Sequence, residues 1–213
     1  MQRFLSRVLR SSLALGFLCL HLATAAQARG DNILVLGDSI SAAYGMSLEQ
    51  GWVALLAGRV AENHPQYTIV NASISGETTA GGLRRLPALL EEHRPNLVII
   101  ELGANDGMRG YPLGTLRDNL TSLVQMSKAA GAGVILLPME IPPNYGSRYT
   151  SGFRRSYVQV AEETDSLLAP FVLDGVATDP ALMQADGIHP TVEAQPALLD
   201  NVLPTIMEAL AQL

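Results

Sequence analysis

Short apolar segments alternate with helical patterns along most of this chain, and this alternation limits the folds open to it. The first segment, residues 32–36, is a continuous apolar run that ends at Gly37, as is typical of a strand buried on both faces. Further strands are predicted over residues 67–70, 97–101, 134–137 and 171–173. Strands that alternate with helices pair in parallel through right-handed crossovers. The sequence therefore predicts an α/β fold with a five-stranded parallel sheet and helices on both of its faces.

Helical spacing of apolar residues predicts the segments between these strands. The predicted helices cover residues 52–60, 83–93, 116–124, 157–168 and 198–210. Pro204 falls inside the last of them, where proline is expected to kink a helix. No internal repeat or interdomain linker interrupts the pattern, so we expect residues 29–213 to form a single domain.

The N-terminus has the parts of a secretory signal peptide. Three arginines and no acidic residue occupy the first ten positions, and the apolar run that follows, residues 13–22, is short for a membrane span. We assign residues 1–28 to the signal peptide, with cleavage two or three residues earlier and an uncleaved anchor as alternatives. Cys19, the only cysteine, lies in this segment. We therefore expect a periplasmic or secreted protein with neither a disulfide nor a stable membrane anchor.

Charge and aromatic content exclude one class of partner. The whole chain has a formal net charge of −6, and its signal segment is basic, so the remainder is more acidic still. An acidic surface repels nucleic-acid phosphates, and an aromatic content of 5% provides few platforms for stacking bases. We expect no nucleic-acid partner.

Polar motifs follow three of the predicted strands. In parallel α/β sheets the ligand lies beyond the carboxyl ends of the strands. The motifs there are Gly37-Asp38-Ser39, the segment 71–78 (N-A-S-I-S-G-E-T) and Gly103-Ala104-Asn105-Asp106. A fourth motif, Asp186-Gly187-Ile188-His189-Pro190, lies near the C-terminus. Each motif alone is weak evidence, but together they predict one functional site.

The residue types in these motifs are those that acyl transfer needs. Ser39 is the candidate nucleophile, and His189 is the candidate base that accepts its proton. Asp186, three residues before the histidine, is expected to hold the imidazole N–H. The Asn105 amide and the backbone N–H groups of Ser39 and Gly76 are candidate donors to an oxyanion.

Other polar residues have simpler interpretations. We expect Asp38 to brace its loop through hydrogen bonds to the backbone, and Asp106 to be a turn residue. Only three histidines follow the signal segment, and none has the spacing of paired metal ligands, so we expect no metal site. Gly81 and Gly82 disfavour a helix, and we interpret segment 77–82 as mobile.

The four motifs resemble the signature blocks of the SGNH (GDSL-type) hydrolases, and the resemblance covers residues 32–213. Ile40 stands where the family name has leucine, and both side chains are apolar. The resemblance implies a flavodoxin-like three-layer α/β/α sandwich. It also implies a catalytic triad of Ser39, Asp186 and His189, with Gly76 and Asn105 completing the oxyanion hole and no cofactor.

The resemblance further implies hydrolysis of acyl esters and thioesters, as in arylesterases, acyl-CoA thioesterases and lysophospholipases. A small-molecule or lipid ester is then the expected partner of a monomeric enzyme. The candidate substrate-binding residues are Glu77, Thr78, Ile141, Pro142 and Tyr145. A carbohydrate deacetylase on the same fold and a non-catalytic binding module remain as alternatives. The apolar loop 139–145 favours acyl chains over sugars, and the complete residue set favours an enzyme over a binding module.

Overall fold

The computed structural model describes residues 31–213, so the proposed signal peptide lies outside the part described. Five parallel strands form one sheet in the order β2-β1-β3-β4-β5. The strands are β1 (Asn32–Gly37), β2 (Thr68–Asn71), β3 (Leu97–Glu101), β4 (Gly133–Leu136) and β5 (Leu167–Leu168). The predicted α/β class and five-stranded parallel sheet are confirmed.

The predicted position of the fifth strand is wrong. Residues 171–173 lie in turns, and β5 is the two-residue strand that pairs with β4 at the edge of the sheet. Asp165 ends the preceding helix in the left-handed conformation, at φ 50°, so the helix also stops before the predicted 168. Val172 and Leu173 are buried in the core without strand pairing, which explains why their apolar character resembled that of a strand.

Helices cover both faces of this sheet. They are α1 (Trp52–Asn63), α2 (Thr79–His93), α3 (Ala104–Met108), α4 (Leu113–Ala129), α5 (Ser147–Thr164) and α6 (Gln195–Leu210). α1 packs against α6, whereas α4 packs against both α2 and α5. Every residue of β3 and all but the first of β1 are buried, as covered faces require. Within residues 31–213, no helix combines the length and apolar character needed to cross a membrane.

α2 begins four residues before its predicted start and includes both glycines of the segment that we interpreted as mobile. The Thr78 side chain caps the helix by accepting a hydrogen bond from the Gly81 N–H. Gly82 lies so close to Leu102, the residue that follows β3, that a Cβ on it would lie 2.5 Å from Leu102 Cδ1. Close packing against the sheet is therefore the structural reason for glycine at position 82.

The strand order determines where a site can form. The chain passes from β1 to β2 on one side and then crosses to β3 on the other side of β1. The loops that follow β1 and β3 therefore diverge and leave a crevice at the carboxyl ends of these strands. The motifs containing Ser39 and Asn105 follow these two strands.

Candidate active site

The nucleophile candidate lies in a tight turn directly after β1. Asp38 Oδ1 accepts a hydrogen bond of 3.0 Å from the Ile40 N–H, as expected for a residue that braces the loop. Backbone hydrogen bonds from Ala42 N–H to the Asp38 carbonyl and from Tyr44 N–H to the Ser39 carbonyl continue the turn. Ser39 is half-buried, with its hydroxyl beside a histidine from the other end of the chain.

Three side chains form a continuous hydrogen-bonded line. His189 Nε2 lies 2.9 Å from Ser39 Oγ, and His189 Nδ1 lies 2.7 Å from Asp186 Oδ2. Hydrogen bonds from the His189 side chain, the His189 N–H and the Ile188 N–H lower the pKa of Asp186 to about 2. An ionised carboxylate at Nδ1 favours the tautomer with its proton there, which leaves Nε2 free to accept the serine proton.

The histidine is held by contacts that sequence reasoning missed. The Gln184 side-chain amide donates to the backbone carbonyls of Tyr44 and Pro190, at 2.8 and 2.9 Å. Its backbone N–H donates to the His189 carbonyl at 2.7 Å. The Tyr44 ring stacks on the imidazole, with ring centroids 4.1 Å apart. Gln184 and Tyr44 thus join the turn that carries Ser39 (residues 38–44, the nucleophile turn) to the loop that carries His189 (residues 184–190).

Two loops carry the candidate oxyanion donors. Asn105, in the first turn of α3, donates from Nδ2 to Asp38 Oδ2 at 3.1 Å. One of its two amide N–H groups is therefore fixed on the nucleophile turn, and the other remains for a ligand. Gly76 adopts a positive φ of 79°, and its carbonyl accepts a hydrogen bond from Arg109. The Ile74 N–H donates to the Gly37 carbonyl, so this loop lies beside the end of β1.

Behind the candidate nucleophile lies a buried carboxyl group, that of Glu101, which sequence reasoning also missed. Glu101, the last residue of β3, is fully buried, and its Oε2 accepts hydrogen bonds from the Asp38 N–H and the Ser41 hydroxyl. Burial and the negative charge of Asp38 raise the pKa of Glu101 well above its usual range. One feature of the sequence could have indicated this group: Glu101 is the single acidic residue in an otherwise apolar strand, L-V-I-I-E.

Asp106 is not the turn residue that we expected. It is buried in α3, where its carboxylate accepts hydrogen bonds from the Thr79 N–H at 2.9 Å and from the Thr79 hydroxyl. It therefore joins α3 to the first turn of α2. Asp106, which follows the candidate oxyanion donor Asn105, thus supports the packing of α2 on α3.

An apolar cavity of about 330 Å³ opens beside Ser39. Its lining includes Ile40, Met108, Met139, Ile141, Pro142 and Ile188. Two of the five candidate substrate-binding residues, Ile141 and Pro142, thus line this cavity. Among residues 31–213, no group of three or more His, Cys, Asp or Glu side chains is arranged to hold a metal ion.

The other three candidate substrate-binding residues have different positions. Glu77 pairs with Arg85 at 3.0 Å, and Thr78 caps α2. Tyr145 donates its hydroxyl to the Met108 carbonyl and faces a neighbouring, more open cavity. None of the three lines the cavity beside Ser39.

The sequence is similar to that of known proteins over nearly its whole length. Residues 35–196 match the GDSL-like lipase/acylhydrolase family. The chain is 54% identical over 198 residues to esterase TesA of Pseudomonas aeruginosa, which covers 93% of this chain and 98% of that protein. It is 45% identical over 186 residues to thioesterase 1/protease 1/lysophospholipase L1 of Escherichia coli, covering 87% and 88% of the two chains.

The fold is also similar to that of a solved structure. The psychrotrophic esterase EstA from Pseudoalteromonas sp., in a crystal structure inhibited by monoethylphosphonate, superposes with a TM-score of 0.81 at 46% sequence identity. The match covers 85% of this chain and 99% of that one.

Proposed function

Because this chain belongs to the GDSL-like lipase/acylhydrolase family and is a hydrolase of ester bonds, we propose that it cleaves acyl esters and thioesters through an acyl-enzyme on Ser39. The observation that carries this proposal is the hydrogen-bonded line from Ser39 through His189 to Asp186. Such a line supplies a nucleophile, a base and a group that orients the base.

In the acylation step, Ser39 Oγ attacks the carbonyl carbon of the substrate, and its proton passes to His189 Nε2. The negative charge that develops on the carbonyl oxygen is stabilised by the free Asn105 N–H and the backbone N–H groups of Ser39 and Gly76. When the tetrahedral intermediate collapses, the bond to the leaving group breaks. The alcohol or thiol departs with the proton from Nε2 and leaves the acyl group on Ser39.

Deacylation repeats these steps with water as the nucleophile. His189 takes a proton from water as the water oxygen attacks the acyl carbon. Collapse of the second intermediate returns that proton to Ser39 Oγ and releases the carboxylic acid. Asp186 remains ionised throughout, since its lowered pKa favours the charged form, and it stabilises the imidazolium of both steps.

The cavity supports an acyl chain as the group bound next to the reacting carbon. Ile141 and Pro142 contribute to a largely apolar lining, which gains free energy by removing a hydrocarbon chain from water. A carbohydrate would leave many hydroxyl groups without partners in such a cavity. We therefore propose acyl esters over the carbohydrate deacetylase alternative. The complete hydrogen-bonded triad argues against a binding module.

We also propose that the enzyme is exported, with residues 1–28 as a cleaved signal peptide. The support is the basic start and the short apolar run of the N-terminal sequence. Mass spectrometry of the mature N-terminus after periplasmic extraction tests this. A chain that keeps its first residues and stays in the cytoplasm would contradict it.

Labelling of the nucleophile tests the mechanism. Ser39→Ala should lower kcat by at least ~10³-fold while the protein stays folded, because the hydroxyl is needed for chemistry. A serine-directed phosphonate should modify the wild type at Ser39 and leave the variant unmodified. Ser75→Ala, which removes an exposed hydroxyl from a neighbouring loop, is the matched control and should label normally. Labelling at any other serine would overturn the proposal.

A further inference from the structure

Two buried carboxyl groups lie behind the nucleophile and have no part in the steps above. Glu101 is 0% exposed and Asp38 is 1% exposed. Neither is paired with a Lys, Arg or His side chain in the described part of the chain. Burying two adjacent negative charges without a cation is costly, so the pair is expected to hold fewer than two charges.

The close approach of these groups is built into the strand ends. Gly37 precedes Asp38, and a Cβ at Gly37 would lie 2.7 Å from Glu101 Oε2 and 2.7 Å from Ser41 Cβ. The absence of a side chain there lets Glu101 reach the turn that carries Ser39. Any larger residue at position 37 would separate the carboxyl group from its two hydrogen-bond donors.

The hydrogen bonds of the two carboxyl groups are unequal. Both Asp38 oxygens accept a hydrogen bond from an N–H group, one from Ile40 at 3.0 Å and one from Asn105 at 3.1 Å. Glu101 Oε2 accepts from the Asp38 N–H at 3.2 Å and the Ser41 hydroxyl at 2.7 Å. Glu101 Oε1 is buried and accepts no hydrogen bond from residues 31–213. The donors therefore favour a charge on Asp38, and Oε1 is the oxygen open to a proton.

The neighbouring titratable groups also favour a charged Asp38 beside a neutral Glu101. Burial raises the pKa of Asp38 to about 6, while hydrogen bonds from Ile40 and with Glu101, and the charge of His189, act in the opposite direction. The Asp38 charge adds to burial in raising the pKa of Glu101. The fully buried Tyr157 also faces the pair, but burial raises its pKa well above the usual range, and its hydroxyl donates to the Leu102 carbonyl. Tyr157 thus adds no charge.

We propose that Asp38 and Glu101 share one proton, carried on Glu101 Oε1 and donated to the Asp38 carboxylate, and that Glu101 is thereby a positioning residue for the oxyanion hole. The inference rests on the role of Asn105 in the proposed function. Neutral Glu101 still accepts the two hydrogen bonds at Oε2 and so holds the nucleophile turn. The single remaining charge, on Asp38, holds the Asn105 amide with its nitrogen toward the nucleophile and attracts the imidazolium of His189.

Two substitutions of Glu101 separate a neutral role from a charged one. Glutamine has an oxygen acceptor and an N–H donor in the places of Oε2 and the protonated Oε1, whereas leucine has neither. Glu101→Leu should lower kcat by ~10-fold or more with little change in KM, because the group acts on transition-state stabilisation. Glu101→Gln should recover most of that loss and keep the wild-type pH profile of kcat.

Infrared spectroscopy tests the proton directly and needs no activity. Wild type near pH 8 should show the C=O stretch of a protonated, buried carboxyl group, and Glu101→Gln should lack it. This measurement decides the question even where Glu101→Leu fails to fold. The proposal is overturned if wild type lacks the band, or if Glu101→Gln loses as much kcat as the leucine variant. Phosphonate labelling of Ser39 in the same samples shows separately whether the proposed function itself holds.

Discussion

At the scale of single residues, the direction in which an atom points determines what each side chain contributes. Asn105 places one N–H on Asp38 and keeps the other for a ligand, and Asp186 uses both oxygens to hold His189. The same residue types in other orientations would leave the Ser39 hydroxyl without a hydrogen bond to an imidazole. The chemistry of the site therefore depends on the hydrogen bonds behind the reacting groups.

Replacing Asn105 by alanine should measure the oxyanion contribution. Loss of one such donor raises the barrier by roughly 3–4 kcal/mol, so we expect kcat to fall by about 10²–10³-fold. KM should change little because the contact strengthens mainly in the transition state. Steady-state kinetics on a neutral aryl ester provides the measurement. Asn63→Ala, on the exposed end of α1, is the control, and wild-type kcat in the Asn105 variant would contradict the assignment.

At the scale of the elements, short connections bring the site together. β1 ends at Gly37, two residues before Ser39, and β3 ends at Glu101, four residues before Asn105. The ends of two neighbouring strands therefore place the candidate nucleophile and the candidate amide donor. α2 supports them from the side through the Thr79–Asp106 hydrogen bonds. The first turn of α2 must pack closely on the segment that follows β3, where Leu102 and Asp106 lie, for this contact to form.

Alanine at Gly82 should show how close this packing is. A methyl group there meets the buried Leu102, so we expect the free energy of unfolding to decrease by about 1–3 kcal/mol. Gly58 in α1 is exposed and has open space around its Cβ position, so Gly58→Ala should instead stabilise by about 0.5–1 kcal/mol. Urea denaturation of both variants provides the comparison. Equal stabilisation by the two alanines would contradict the packing argument.

At the scale of the whole molecule, two carboxyl groups affect folding in opposite directions. Asp186 has a pKa lowered to about 2, so its contribution to stability is present above its ordinary value of 3.8 and is lost as the pH falls toward 2. Asp38 has a pKa raised to about 6 from 3.8, so stability is greatest while it is protonated and decreases as the pH rises through 6. Stability should therefore be highest in mild acid.

Thermal unfolding across pH tests this opposition. The Tm of the wild type should fall by several degrees between pH 5 and pH 7, because ionisation of a buried carboxyl group costs free energy. Asp38→Asn, which cannot ionise, should show a smaller fall over the same range. The exposed Asp174→Asn should keep the wild-type dependence. A Tm that rises through this range in the wild type would contradict the sign.

Local sequence patterns were enough to predict the α/β class, four of the five strands and the residue types of the candidate site. These features could be predicted because apolar runs, helical spacing and strand-end motifs each occur within a short segment of the sequence. The parallel alternation then predicts that the motifs meet at one edge of the sheet, and Ser39 and Asn105 do lie there.

How distant segments use their polar groups depends on the folded chain. The contacts of Gln184 with Tyr44 join positions 140 residues apart, and those of Glu101 join positions about 60 apart. Nothing local distinguishes a glutamine that clamps two loops from one on the surface. The fifth strand was predicted in the wrong place for the same reason. Buried turns and paired strands both contain apolar residues, so the local sequence does not distinguish them. Burial and hydrogen-bond partners exist only once the chain is folded, and they determine which buried carboxyl group keeps its charge.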